Sequence, residues 1–267
     1  MQQLGEYRVE SFPSSRIATM DIGAVGRTKH HIAALIELDV TDARRLLAER
    51  KRDKQHLSFN SWLIKCISQA VDECKALHGI KQGKRKIVVF DDVDISIMIE
   101  RTVDGKKVPL PYVIRKTNTK SITEIYDEIR AGQRQAIDDE GNYVLGEKKN
   151  ALLMNAYYAM PGFLRRMVWR NILGNPFITK QQMGTVIVTS VGMMGKVTGW
   201  VLPVTVHPLS FAIGSIIKKP GVKDDRIEIR EYLYMTITMD HDVIDGAPAM
   251  RAISTLTKLV ETGYGLT

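Results

Sequence analysis

The chain has 267 residues, 44% of them hydrophobic and 25% charged, with a net charge of +8 and a sequence pI of about 9.4. That length supports one large domain or two small ones around a substantial core. No apolar run reaches the roughly eighteen residues of a membrane span, the N-terminus lacks the regions of a signal peptide, and Cys66 and Cys74 alone make no disulfide framework, so a reducing cytoplasm is the expected location. The basic balance points to an anionic partner or to a plain solvated surface. With no zinc-ligand spacing, RNA-binding aromatic motif or zipper, no nucleic acid is expected, and a phosphate-rich small molecule fits the charge.

Residues 1–28 are mixed in pattern, broken by Pro13, Ser14 and Ser15, and read as an irregular N-terminal arm; 29–267 read as the main domain. Residues 29–40 read as a strand. Thr41 is placed to cap a helix through Ala43, Leu46 and Leu47, and Ser58 a second helix through Trp62, Ile67, Val71 and Leu77 that ends at Gly79. Cys66 and Cys74 lie in that second run and read as small packing residues. Ile87–Phe90 is a short strand. Val93, Ile95, Ile97 and Ile99 alternate along the next one. Asp104-Gly105 marks a hairpin whose return strand, 108–114, carries Pro109 and Pro111 and so belongs at an edge. Ser121 and Glu124 form a capping box that opens a helix to about Ile137.

Residues 139–183 differ in character and read as a helical insertion. Within it, 151–173 place Arg165, Arg166 and Arg170 beside Leu164, Met167, Val168 and Trp169. That arrangement suits a helix lying on a membrane surface. Because Pro161 splits the segment, a buried helix over the active site is the preferred reading. Val186–Ser190, Trp200–Val206 and Phe211–Ile217 read as strands, with a turn at Asp224-Asp225. His30 and His31 point to opposite faces of a strand and cannot share an ion, so no metal is expected. The glycines at 192, 195 and 199 have the wrong spacing for a dinucleotide fingerprint, and no Gly-x-Ser-x-Gly elbow occurs.

The stretch that organises the chain lies near its C-terminus. Residues 232–239 alternate strictly, with Leu233, Met235, Ile237 and Met239 on one face. Met250, Ile253, Leu256 and Val260 then recur at helical spacing, with Pro248 near the start and Gly263 past the end. Between them runs Asp240-His241-Asp242-Val243-Ile244-Asp245-Gly246. In one reading Asp245 caps the helix, Gly246 permits the bend and His241 is incidental. In the other, His241 is a general base oriented by a nearby Asp, since an imidazole of pKa about 6.5 can deprotonate a thiol of pKa about 8.5 near neutral pH.

Four segments resemble one family: Asp240–Ala247; Gly184–Gly192, which includes Thr189 and Ser190; Glu37–Thr41 followed by the helix at 58–77; and Val93–Ile99 followed by Gly105 and Pro109. Together they resemble the catalytic domain of the dihydrolipoamide acyltransferases, the E2 components of 2-oxo acid dehydrogenase complexes, and more distantly chloramphenicol acetyltransferase. The resemblance covers roughly 16–262 and is poorest over 139–183. It implies an α/β two-layer sandwich, a mixed sheet with helices on one side, assembled as a trimer or as higher assemblies of trimers with each active site between two subunits. It also implies acyl transfer between coenzyme A and a thiol such as a dihydrolipoyl group.

In that frame His241 is the base on the acceptor thiol. Thr189 stands where the family usually has a serine that donates to the oxyanion, with Ser190 beside it. Asp245, next to Gly246, holds the turn through an arginine, for which Arg16 lies nearest the family's position. The sequence departs from the pattern at Asp242, where the family usually has arginine. No lipoyl-type lysine loop is found, since Asp53-Lys54 lies in a helical run, so a lipoyl or acyl carrier would act in trans. The other expectation is a trimeric scaffold without chemistry.

Overall fold

The computed structural model describes residues 5–10, 12, 14–53, 55–103, 106–134, 156–190 and 198–266. Its frame is a six-stranded mixed sheet built from β1 (His31–Asp39), β4 (Ile95–Val103), β5 (Lys106–Ile114), β6 (Val186–Ser190), β7 (Leu209–Lys223) and β8 (Arg226–Asp240), in the order β1-β8-β7-β6-β4-β5. Three of the four inner strands, β4, β6 and β7, run parallel, and the remaining pairings are antiparallel. A small ribbon of β2 (Ile80–Gln82) and β3 (Lys86–Val88) stands apart. β5 lies at the edge, so Pro109 and Pro111 interrupt no central ladder. The Asp104-Gly105 tip itself lies outside the described residues, but Val103 pairs with Lys106 as a hairpin there requires.

Alternation decides which side of the sheet is dry. Leu38, Val188, Phe211, Leu233, Met235 and Ile237 point to one side and meet α3 (Phe59–Glu73), α4 (Ile122–Arg134) and α7 (Gly246–Glu261) in one continuous core. Trp62 and Ile67 from α3 and Leu256 from α7 are fully buried there, each contributing about 1.5–3 kcal/mol of burial. The cap at Ser58 is a reciprocal one with Ser61, and that of Ser121 with Glu124 also forms. Cys66 is buried in the same core, which pushes its thiol pKa up, and Cys74 packs against it.

Four expectations need correction. Ser14–Gly26 is a helix, α1, rather than irregular chain: Ile22 and Val25 pack on Trp169, Ile172 and Leu173 of α5 (Gly162–Gly174), and buried Asp21 is paired with Arg165 at 2.7 Å. Its support is tertiary, so local pattern does not reveal it. Trp200–Val206 form no strand. This segment instead lies over the sheet's outer face, where the Trp200 indole donates to the Ile36 carbonyl and meets Tyr234 edge-on. Thr41 does not cap α2 (Thr41–Arg52); it is the first helical residue, and Asp39 accepts from its backbone and hydroxyl. β7 and β8 run on past the expected strand ends to Lys223 and back from Arg226, turning at Asp224 and Asp225, both with positive φ as a two-residue hairpin turn demands.

The contacts of α5 bear on the membrane-surface reading, although Phe163, Arg166, Met167 and Arg170 stay exposed. Trp169 is buried against α1 and Arg165 is committed to Asp21, so much of the amphipathic face is already used within the protein. No described helix is long and apolar enough to cross a membrane. Residues 151–155 lie outside the described ones.

A short helix, α6 (Pro176–Met183), leads into β6 through Gly184. This glycine sits at φ 71° and ψ −173°, where a Cβ would lie 2.7 Å from the Asp94 carbonyl oxygen. That carbonyl accepts from the backbone of Thr185 and Val186 and so starts the strand. Gly184→Ala should therefore destabilise the protein by about 1–3 kcal/mol, read as a lower urea midpoint; an unchanged midpoint would show that the close approach does not matter.

Two buried histidines set an acid limit on stability. His78 donates from Nε2 to the Phe90 carbonyl and accepts at Nδ1 from Thr185; His207 donates from Nε2 to the Met183 carbonyl and accepts at Nδ1 from Thr205. Burial pushes both down to about 4. Between that value and the unfolded value of about 6.5, the unfolded chain binds more protons, so stability is full above the window and falls as pH drops through it. The slope reaches up to about 1.4 kcal/mol per pH unit for each histidine. The urea midpoint should fall between pH 7 and pH 4.5, and His207→Gln should flatten that fall. Equal slopes in the two proteins would refute the assignment.

Candidate active site

β8 ends at Asp240, and the chain turns sharply there. The Asp240 backbone N–H donates to the Pro208 carbonyl at 2.9 Å, and its own carbonyl accepts from Val243 at 3.0 Å and Ile244 at 3.3 Å. Its buried carboxylate pairs with Lys29 at 2.7 Å and accepts from the backbone of Asp242 at 3.2 Å. The His241 backbone N–H donates to the His30 carbonyl at 2.9 Å, and Ile244 drops into the main core. The backbone of 240–244 is thus fixed from both sides, while the His241 imidazole is exposed and has no described partner.

Charge around the turn is mixed. Asp242 accepts from His30 at 2.9 Å and from Lys81 at 3.1 Å, and these two, His30 first, hold its carboxyl below the usual carboxylate range. Together with Lys29 they place three basic side chains around two carboxylates. His30 and His31 diverge, the latter meeting the His207 carbonyl, and no described cluster of His, Cys, Asp or Glu could hold a metal.

Asp245 takes the N-cap position of α7 but makes no capping hydrogen bond through its side chain. Gly246 has open space where a Cβ would stand. The capping reading therefore explains neither residue. Arg16 is exposed on α1, and no described ion pair joins it to Asp245.

Thr189 and Ser190 end β6 on opposite faces. Ser190 shares the side of Val188 and lines a cavity with it, whereas Thr189 lies on the outer face, opposite Ala212 of β7, which in turn faces Thr236 of β8. Thr189 is thus level with a residue five positions before His241, about 16 Å away along the strand, and two strands across, about 10 Å. One chain does not bring His241 and Thr189 together. Sequence reading missed the basic trio Lys29, His30 and Lys81, which no motif marks because its members come from three segments.

The 2-oxoacid dehydrogenases acyltransferase (catalytic domain) family model matches residues 14–142 and 178–266, leaving 143–177 unmatched. Among curated relatives, the Bacillus subtilis dihydrolipoyllysine-residue acetyltransferase component of the pyruvate dehydrogenase complex is 26% identical over 89% of this chain and 47% of its own length. The Bos taurus mitochondrial dihydrolipoyllysine-residue succinyltransferase component of the 2-oxoglutarate dehydrogenase complex is 27% identical over 84% and 42%. The chain thus spans about half the length of the curated relatives it matches.

Among solved structures, a probable dihydrolipoamide acetyltransferase from Listeria monocytogenes aligns with a TM-score of 0.68 at 21% identity, over 98% of this chain and 97% of that one. The cubic core of the pyruvate dehydrogenase multienzyme complex aligns at 0.66 and 15%, over 100% and 97%. A chloramphenicol acetyltransferase aligns at 0.50 and 16%, over 98% and 99%. The fold is therefore that of chloramphenicol acetyltransferase and the E2 cores. With most of its length matched on both sides of one unmatched segment, this chain belongs to the 2-oxoacid dehydrogenase acyltransferase catalytic-domain family.

Proposed function

We propose that the chain is an acyltransferase that moves an acyl group between coenzyme A and a thiol, either a dihydrolipoyl group on a carrier acting in trans or another acceptor. The observation that carries the reading is the exposed His241 imidazole on a backbone fixed from both sides. A general base needs a set position and open access to its substrate, and that arrangement supplies both. Family membership supports the reaction class.

His241 takes the proton from the acceptor thiol as sulfur attacks the thioester carbon. The oxygen of the tetrahedral intermediate accepts from the Thr189 hydroxyl. Collapse expels the departing thiolate, which recovers the proton from the imidazolium, so atoms and charge balance. Lys29, His30 and Lys81 give the turn a basic border suited to phosphate groups of coenzyme A.

The separation of His241 from Thr189 within one chain supports a site shared between subunits of a ring, most simply a trimer. In the same reading Asp245 holds the turn through an arginine, with Arg16 as the candidate. A second reading, an assembly core without chemistry, draws on Asp242 and Thr189, two of the places where the sequence leaves the pattern that the resemblance implies.

His241→Ala should lower transfer from acetyl-CoA to dihydrolipoamide by about 10²–10⁴-fold with the fold intact. A variant as active as the parent would rule out His241 as the base, and a parent with no turnover on any acyl-CoA would favour the assembly core. Thr189→Val should cost about 10²–10³-fold. Co-refolding the two variants in equal amounts tests the shared site. In a closed ring about a quarter of interfaces then pair an intact His241 with an intact Thr189, so activity should return to about a quarter of wild type. No recovery in verified mixed rings would place both groups within one chain.

A further inference from the structure

A cavity of about 290 Å³ opens between the sheet and the helices at the far end of β6. It is close to the lower bound of about 300 Å³ for small-molecule pockets. Its floor is apolar, formed by Ile64, Ile97, Val188 and Ile213. Its polar side carries Ser190, Tyr126 and Arg130. The guanidinium of Arg130 donates from Nε to the Tyr126 hydroxyl at 3.2 Å and from one terminal nitrogen to the Gln133 side-chain oxygen at 3.3 Å, and its centre lies 5.3 Å from the Tyr126 ring.

Both hydrogen-bond partners are neutral, and the two bonds use two of the five donors of an arginine. The acidic residues of the same helix are committed elsewhere: Glu124 to Ser121, Asp127 to His56 and Glu128 to Lys120. Among the described residues no carboxylate pairs with Arg130. Arg130 is exposed at the rim of the cavity; Tyr126 and Gln133 each take one N–H of its guanidinium, and the remaining N–H groups are open to solvent or to a ligand. A planar fork of this kind matches a carboxylate, which can take two parallel hydrogen bonds.

We propose that this cavity binds a short aliphatic carboxylate, its chain on the Ile64–Val188 floor and its carboxylate on Arg130. Such a group can come from two sources: the far end of a dicarboxylic acyl group presented as a coenzyme A thioester, or a free carboxylic acid. The first source deepens the acyl-transfer reading and rests on it; the second does not. Ser190 follows Thr189 but faces the other side of the sheet, so an acyl chain reaching Arg130 from the Thr189 side would have to pass around the end of β6. In the acyl case Arg130 is a specificity-determining residue.

The test is calorimetric binding, which needs no turnover, to wild type, Arg130→Met and Arg130→Lys. The probes are hexanoate against hexanol, and glutaryl-CoA against pentanoyl-CoA, members of each pair being of similar length with and without the carboxylate. Wild type should prefer the carboxylate member of at least one pair by about ten-fold or more, Arg130→Met should lose the preference, and Arg130→Lys should keep part of it. Preference within the thioester pair identifies the acyl source, and preference confined to hexanoate identifies the free acid. No preference in either pair, or a preference that survives Arg130→Met, overturns the proposal. Because binding and transfer are read separately, an inactive protein that still selects carboxylates would sink the acyl-transfer reading and leave this site standing.

Discussion

The register of the sheet governs everything that follows about the site. β6 pairs in parallel with β7, and β7 pairs antiparallel with β8, so Thr189, Ala212 and Thr236 form one row across the outer face. Strand geometry then sets the distance from that row to the end of β8, and no side-chain rotation spans it. A slip of one residue in β6 would turn Val188 outward and Thr189 into the core, which the buried floor of Val186 and Val188 forbids. The packing that makes the core dry therefore also keeps Thr189 on the outer face and away from His241 of the same chain. A reaction that uses both must draw on two chains.

The turn after β8 obtains its rigidity from backbone groups rather than from glycine or proline. The Pro208 and His30 carbonyls hold Asp240 and His241, and the Asp240 carbonyl closes the turn on Val243 and Ile244. Asp240 is a buried carboxylate, and such a charge is tolerable only with a partner, which Lys29 supplies. Asp242 adds a negative charge beside His241 without loosening this frame, because its contacts run outward to His30 and Lys81. Asp242 therefore bears on what approaches His241 more than on where His241 stands.

Much of this was legible in the sequence where local chemistry decides. The alternation at 93–99 and 232–239 showed both the strands and the faces that became core, and Ser58 and Ser121 opened helices as their side chains require. The opposite faces of Thr189 and Ser190 follow from the same alternation. Legibility failed where one segment needs another. Ser14–Gly26 contains Gly23 and a buried Asp21, and it is helical because Trp169 and Arg165 meet it from far along the chain. Trp200–Val206 has strand-like composition, but Trp200 packs on Tyr234 of the sheet's outer face and Val206 on Val25 and Trp169, so the segment joins no ladder. The partners of Asp245 and Arg16 are invisible in one chain for the same reason, if both belong to a contact between chains.

The stretch that the family model leaves unmatched also bears on the site, through contacts that can be followed atom by atom. Trp169 and Leu173 of α5 anchor Val25 of α1, and four residues after Val25 comes Lys29, the partner of Asp240. A second route lies within the matched residues: the Met183 carbonyl at the end of α6 holds the buried ring of His207, and the next residue, Pro208, holds the Asp240 backbone. The two routes converge on the residue before His241 from opposite directions. Removing the Trp169 packing would loosen α1 and the Lys29 pairing together, while the Pro208 route would still hold the backbone. A helix in the stretch that the family model leaves unmatched thus buttresses the turn that carries His241, and it does so through charge and packing rather than by touching the imidazole.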